Sequence, residues 1–330
     1  MISFRFHVVS ITAVFLAIAI GVVVGTTYVD GAVVDGLQNR IDSVEKNLDD
    51  LRAEKAELEG QVETARGYID SSSDFAVSER LTDVPVLVLA VRGIDESAVE
   101  RTLALARRAG ATAPGVVWLE SGWSLEDDDA RADLAEIVGA GARDRVEDLW
   151  ADAWEAVAGE LAAAEDVDPL DDTTEGAAVT TQPDPAADVL AALVDSGFLT
   201  VDPLGDGDTP LTDLAGTGPR VLVVTGARAA PEVAPLVTVI VEAATGDELP
   251  TVVSDVYVDA PEAPGRAEAL RQSLSDDLRE RIVLVDAADR IEGQVASILA
   301  LGVVVDSQLL GTHFGYGDGA ASVLPSWTRP

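Results

Sequence analysis

The stretch VVSITAVFLAIAIGVVVGTTYV, residues 8–29, runs straight into DGAVVDGLQNRIDSVEKNLDDLRAEKAELEGQVETARGYID, residues 30–70. The first segment has 22 residues and no charge. As a helix it is roughly 33 Å long, close to the ~30 Å of a bilayer's hydrocarbon core. Its strongly polar side chains are Ser10, Thr12, Thr26 and Thr27, whose hydroxyls can bond back to the helix backbone, and the interfacial Tyr28. Arg5 precedes the run, while Asp30 and Asp35 follow it. That bias puts residues 1–7 in the cytoplasm and the bulk of the chain outside a cell membrane crossed once. A cleaved signal peptide is the alternative, but its apolar core would be 7–15 residues long and would end at a small-residue cleavage site. Ala17, Gly21 and Gly25 recur every fourth residue, a spacing that lets two membrane helices approach closely. The competing explanation is the general abundance of Gly and Ala in such helices.

The second segment carries a seven-residue repeat. Val34, Ile41, Leu48, Lys55, Val62 and Ile69 occupy one column, and Leu37, Val44, Leu51, Leu58 and Ala65 the column three residues on. These are the a and d positions of a coiled coil, and β-branched a with Leu at d favours a parallel homodimer. Lys55 is the one charged a residue and would fix register and partner number. Arg40 at g can meet Glu45 at e of a second copy, whereas Glu54 and Glu59 are like-charged unless Lys55 reaches between them. Gly60 and Gly67 weaken the far end, so the spacing predicts fraying before Ser71–Ser73. An amphipathic helix laid on its own globular domain is the alternative.

Composition bounds the rest. With 59 acidic and 22 basic residues among 330, the formal net charge is −37, which disfavours both nucleic acid and an anionic membrane surface as partners, and no nucleic acid partner is expected. Solubility in a salty medium accounts for such a balance without a specific partner. The only lysines are Lys46 and Lys55, the other 20 basic residues being Arg. There is no Cys, hence neither disulfide nor thiolate site.

From Val84 onward, apolar runs alternate with helical patterns. Val84–Val91, Val116–Leu119, Arg220–Thr225, Thr251–Val258 and Arg281–Asp286 read as strands. Glu96–Ala109, Leu134–Leu161 (broken near Gly139–Gly141), Ala187–Val194, Pro231–Ala244, Arg266–Leu278 and Ile291–Leu301 read as helices. Strands separated by helices imply a mostly parallel sheet with flanking helices, an α/β domain over residues 71–330. Residues 166–184, acidic and rich in Pro and Thr, read as a loop between halves 82–165 and 185–330, which form one sheet or two domains.

Ligands in such sheets bind beyond the strands' carboxyl ends. Those ends carry Arg92–Gly93, Glu120–Gly122, Thr225–Ala227 and Asp286, with no dinucleotide fingerprint or phosphate loop. Thr225-Gly226-Ala227-Arg228 could hold an anion or be an ordinary turn. Glu126–Asp129 fits the acidic start of a helix. His7 and His313 are the two histidines and supply no basis for a catalytic triad, so the chain reads as a non-enzyme. The tail Gly311-Thr312-His313-Phe314-Gly315-Tyr316-Gly317-Asp318-Gly319 is the most unusual segment. His313, Phe314, Gly315, Tyr316 and Gly317 are its partner-binding candidates and His313 a weak metal candidate; a tail laid on the domain surface is the alternative.

The start MISFRFHVVS, the apolar run ending in Gly21-Val22-Val23-Val24-Gly25, the heptads, the α/β region and His313-Phe314-Gly315-Tyr316-Gly317 together resemble the actinobacterial MctB family, named for mycobacterial copper transport protein B. The resemblance implies copper efflux or tolerance and, for mycobacterial members, an outer-membrane location. Members also resemble SteB-like cell-separation proteins, which implies a non-catalytic dimeric scaffold for an envelope or cell-division partner as the alternative function. The residues themselves hold little for copper as a ligand set: it favours Cys, Met and His, and the chain offers no Cys, only Met1, and two His on opposite sides of the expected membrane. Nor do short strands interleaved with helices make a membrane barrel.

Overall fold

In the computed structural model, residues 4–141, 144–162, 189–203, 210–226, 234–256, 274–305, 308–317 and 319–325 are described. The expected loop 166–184, most of the helix expected over 266–278, and Ala227–Arg228 lie outside them. Two compact units, Met1–Tyr68 and Ile69–Pro330, are taken separately.

The first unit belongs to a single helix, α1 (Phe4–Val77). Phe4–Gly25 is the segment apolar and long enough to cross a membrane, with mean hydropathy 2.7. It starts four residues before the run read from sequence because Phe4 and Phe6 extend the apolar surface. Within it Thr12 Oγ1 donates to the Val8 carbonyl at 2.8 Å, so that hydroxyl is satisfied without water. Further on, Lys55 Nζ lies 3.5 Å from Glu59 Oε1, one turn along the same helix.

As a single helix, α1 continues through Ser71–Ser73 to Val77. Ser72 and Ser73 return their hydroxyls to the carbonyls of Ile69 and Asp70, Asp74 is paired with Arg108 at 2.6 Å, and Val77 is fully buried. Tertiary packing in the second unit thus overrides weak local propensity.

That unit is built on one seven-stranded sheet. Its strands are β1 (Val86–Val91), β2 (Val116–Leu119), β3 (Leu199–Asp202), β4 (Arg220–Gly226), β5 (Thr251–Val256), β6 (Val283–Val285) and β7 (His313–Phe314). The order is β3-β2-β1-β4-β5-β6-β7, and all pairings are parallel except β2 with β3. Strands from both sides of residues 166–184 share this sheet. β3 escapes a pattern reading because it is four residues long and fully buried only at Leu199; Gly197 followed by Phe198–Val201 was the available signal.

Both faces are covered, so β1, β2, β5 and β6 are buried along their whole length. Alternate residues divide between two cores. Leu87, Leu89, Val117, Val221 and Val253 face α3 (Asp128–Ile137), α4 (Val146–Leu161), α5 (Val189–Asp195) and α6 (Ala234–Gly246). Val88, Ala90, Trp118, Leu222 and Val252 face α2 (Glu96–Arg108), α8 (Ile291–Val303), and Val77 at the end of α1. A short α7 (Asp276–Arg279) precedes β6. α2 starts where Asp95 accepts from the Ser97 amide, and ends in Arg107 and Arg108, which suit the helix dipole. Its stop is Gly110 at φ +94°, where a Cβ would press on Thr82.

Within the first core Trp123 stacks on Trp154 at 5.3 Å and meets the edge of Phe198, whose carbonyl accepts from Trp123 Nε1. Leu89 is buried in the same core at the middle of β1. Leu89→Ala is expected to lower unfolding free energy by about 2–5 kcal/mol, read by urea denaturation of the full chain in detergent.

Candidate functional site

In a sheet of this order the neighbouring strands β1 and β4 lead away from each other, and the crevice beyond their carboxyl ends is where ligands usually bind. Here the described part of that crevice is filled. Ile94, just after β1, is buried, and a Cβ on Gly226 at the end of β4 would come within 3.4 Å of it and 2.6 Å of the Val256 carbonyl. The α2 N-terminus already holds its own anion, Asp95, whose carboxyl is held below the usual range. Burial raises it less than the Ser97 hydroxyl, the Ser97 and Ala98 amides and Arg101 lower it; the Ser97 hydroxyl is the largest influence. A phosphate would meet negative charge at that place.

Next to it lies a polar node around Arg92. Its guanidinium donates to Glu120 at 2.9 Å, to Glu96 at 3.2 Å and to Thr200 at 3.1 Å, sits 3.5 Å from Asp202 and covers the Trp118 ring at 4.3 Å. Burial works against its charge, but the three carboxylates outweigh burial and hold the proton more firmly than usual. These contacts tie β1, β2 and the antiparallel β3 together, and they leave Arg92 engaged on every side.

The densest buried polar constellation lies at the other edge. Asp286 follows β6, and β7 pairs with β6 in the register Leu284↔His313 and Val285↔Phe314. Asp286 is 7% exposed and His313 5%. His313 Nε2 is 2.8 Å from Asp286 Oδ2; the Tyr316 amide donates to Oδ1 and the Gly317 amide to Oδ2, each at 2.7 Å. An ionised Asp286 can only accept, so Nε2 carries the ring hydrogen. His313 Nδ1 is buried without a hydrogen-bond partner. Burial pushes the Asp286 carboxyl up, but the hydrogen bonds from His313, Tyr316 and Gly317 more than reverse this and hold it below the ordinary carboxylate range.

The glycines make this possible. Gly315 adopts φ +133°, and a Cβ there would run into the Asp286 carboxylate; at Gly317 it would come within 2.8 Å of Oδ2. The chain then turns back, with the Gly315 amide donating to the Ser322 carbonyl and the Ala321 amide to that of His313. Tyr316 alone of the five tail candidates has an exposed side chain, and it lies under the Arg290 guanidinium at 5.7 Å. Partial burial and Glu292 push its hydroxyl up, against Arg290. His313, Phe314 and Gly315 face inward. The segment is a strap closing the sheet, and its keystone, Asp286, stood out in the sequence only as a strand-end residue.

Among the described residues no group of three or more His, Asp or Glu is placed to hold a metal ion. The weak metal candidate His313 has one nitrogen committed to Asp286. The remaining candidates lie in α1: Gly21 and Gly25 have nothing within 4 Å of a built Cβ, and Leu37, Ile41, Val44, Leu48, Leu51, Leu58 and Val62 are 45–60% exposed.

Asp286→Ala leaves three donors facing an empty place and is expected to lower stability by about 3–5 kcal/mol, while Asp286→Asn loses about 1–2 kcal/mol. Amide exchange should show residues 313–322 losing protection first. Because the folded-state value is depressed, this contribution is complete above the unfolded carboxyl value near 4 and is lost as pH falls through the folded value. Acid unfolding of Asp286→Asn should therefore be shallower below about pH 4 than that of the native chain.

The family described as "Copper transport outer membrane protein, MctB" matches residues 1–325. Proteins named "Copper transporter MctB" in Mycobacterium bovis (strain ATCC BAA-935 / AF2122/97) and in Mycobacterium tuberculosis (strains CDC 1551 / Oshkosh and ATCC 25618 / H37Rv) are 26% identical over 344 residues, which covers 99% of this chain and 100% of each relative. The matched region takes in the apolar start of α1, every strand of the sheet and the strap on Asp286, and the chain belongs to the MctB family.

Proposed function

We propose that this protein is a membrane-anchored, non-catalytic scaffold that pairs through residues 34–65 of α1 and serves copper tolerance without a high-affinity copper site of its own. The observation that carries the reading is the continuous row of a and d side chains lying half-exposed along a single copy. Leaving so many Leu, Ile and Val in water is unfavourable by roughly 1–2 kcal/mol for each half-buried by a partner. A second copy in the same orientation covers them all at once, and leaving the same bilayer in the same direction gives that orientation. The copper role comes from the family description. Against direct coordination stand the absence of Cys, the single Met and the engagement of His313 by Asp286.

In this reading α1 anchors and pairs the chain, and the second unit is the surface offered to an envelope partner. The bilayer is crossed once, with the N-terminus cytoplasmic. A partner in cell division rather than copper handling is the second reading, favoured by the same paired architecture.

Since the chain contains no Cys, cross-linking is clean. In membranes, Leu51→Cys at a d position should form a disulfide-linked dimer on mild oxidation, while Ser43→Cys, on the outer side of the helix, should not. Equal cross-linking at both positions would remove the parallel coil. Copper titrated into the full chain in detergent should bind weakly and without fixed stoichiometry; tight one-to-one or one-to-two binding would overturn the scaffold reading. Deleting the gene separates the two roles: copper sensitivity with normal division supports the first, and chained cells with normal copper tolerance the second.

A further inference from the structure

The two borders of the sheet are closed in different ways. β3 pairs with β2 along its whole length, whereas β7 meets β6 at two positions only, Leu284↔His313 and Val285↔Phe314. Around them the Gly311 amide donates to the Ile282 carbonyl, the Leu284 amide to that of Thr312 and the Asp286 amide to that of Phe314. Phe314 is the one large apolar side chain of residues 311–317 that is buried, in the core beside α2 and α8. Among the described residues, the opposite core takes nothing from beyond Leu284. The outer side of β7 is met by Ser322 of the same segment, which therefore carries its outer neighbour with it. A segment with one apolar anchor, short pairing and its own outer cover opens at lower free energy than the sheet it closes. While closed it also bears a polar cost, since His313 Nδ1 has given up water without gaining a partner.

What the segment leaves behind is an acceptor. β6 then presents the Ile282 carbonyl and the Leu284 and Asp286 amides, a slot shaped for one aromatic ring, and the Asp286 carboxylate stripped of three donors. Such a strand edge takes up an extended peptide through main-chain hydrogen bonds, with side-chain pockets giving specificity. We propose that residues 311–322 are the internal occupant of a strand-accepting site on the β6 edge, whose ligand is an extended segment of a partner protein with the same chemistry: an N–H donor for Asp286, an aromatic residue next to it, and Gly in the third and fifth places. The seated segment shows each requirement. His313 supplies the donor and Phe314 the ring, while at Gly315 and Gly317 a Cβ would strike the carboxylate. Tethering holds the chain's own segment at a high effective concentration, so the site stays shut until a better-fitting segment arrives. An incoming donor that strands no second nitrogen seats at lower cost than His313. The same segment from a second copy gives up at home what it gains abroad, so exchange between copies has no net drive. The site is independent of copper and of the pairing of α1.

The test uses the full chain in detergent and a fluorescent synthetic peptide with the sequence of residues 309–323. Gly315→Ala unseats the chain's own segment and leaves β6 and Asp286 unchanged. Amide exchange is expected to show residues 311–317 losing protection in this variant while β1, β4 and β5 keep theirs. The peptide is expected to bind the variant one to one, and the native chain roughly a hundredfold more weakly, its edge being open about 1% of the time. A peptide that itself carries Gly315→Ala should not bind, and adding Asp286→Asn to the variant chain should weaken the normal peptide about tenfold. If Gly315→Ala strips protection from β1, β4 and β5 as well, the segment belongs to the common core and the proposal fails. It fails equally if the sheet stays protected and the peptide does not bind, binds variant and native chain alike, or ignores Asp286→Asn. An excess of native chain should leave the peptide on the variant; displacement would assign the site to the segment of a second copy and overturn the partner protein as its ligand.

Discussion

A sheet of parallel strands cannot leave either face in water, and most of the second unit answers that requirement. The side chains of β1 alternate between two cores, so each face needs its own helices: α3 to α6 on one, α2 and α8 on the other. The end of α1 is drawn into the same scheme, since Val77 supplies surface to the α2 and α8 side. That the helix persists through a serine-rich stretch follows from this demand for cover, and so does the burial of Ile94 just after β1. Edges pose the remaining problem, and each is tied by charge: Arg92 beside β3, Asp286 beside β7.

The sequence made the central strands and most helices legible, because continuous apolar runs bounded by Gly or Pro leave few alternatives. Val116–Leu119 and the breaks around α2 and α4 fall where the pattern placed them. Both edge strands escaped it, and for the same physical reason: β3 and β7 are short, and their hydrogen bonds depend on a neighbour far away in sequence. The site was harder still. His313 and the glycines drew notice as odd composition, but their meaning depends on Asp286, 27 residues earlier, arriving beneath them. A buried carboxylate looks like any other Asp until its donors are known.

The family description speaks of copper, while the described residues concentrate their chemistry elsewhere. What is unusual here is a long helix with an uncovered apolar seam, and a domain whose acidic excess is large and whose arginines are widely committed to internal partners, among them Arg92, Arg107, Arg108 and Arg220. Such a surface repels its like over a Debye length and suits a protein held in place by a tether rather than by stickiness. Among the described residues, most of the exposed large apolar side chains lie in α1.

The strand order also carries a meaning in time. After β1, β2 and β3 have formed one side, β4 joins the free edge of β1, and β5, β6 and β7 follow in chain order, each beside the one before. The sheet can grow at one border, like a wall laid course by course, until residues 313–317 bring the last amides to Asp286. A chain cut short before that point would carry a finished core with an open border and a carboxylate lacking its donors. The glycines of residues 315–317 thus close the last border, and a strap without them would leave Asp286 short of its donors.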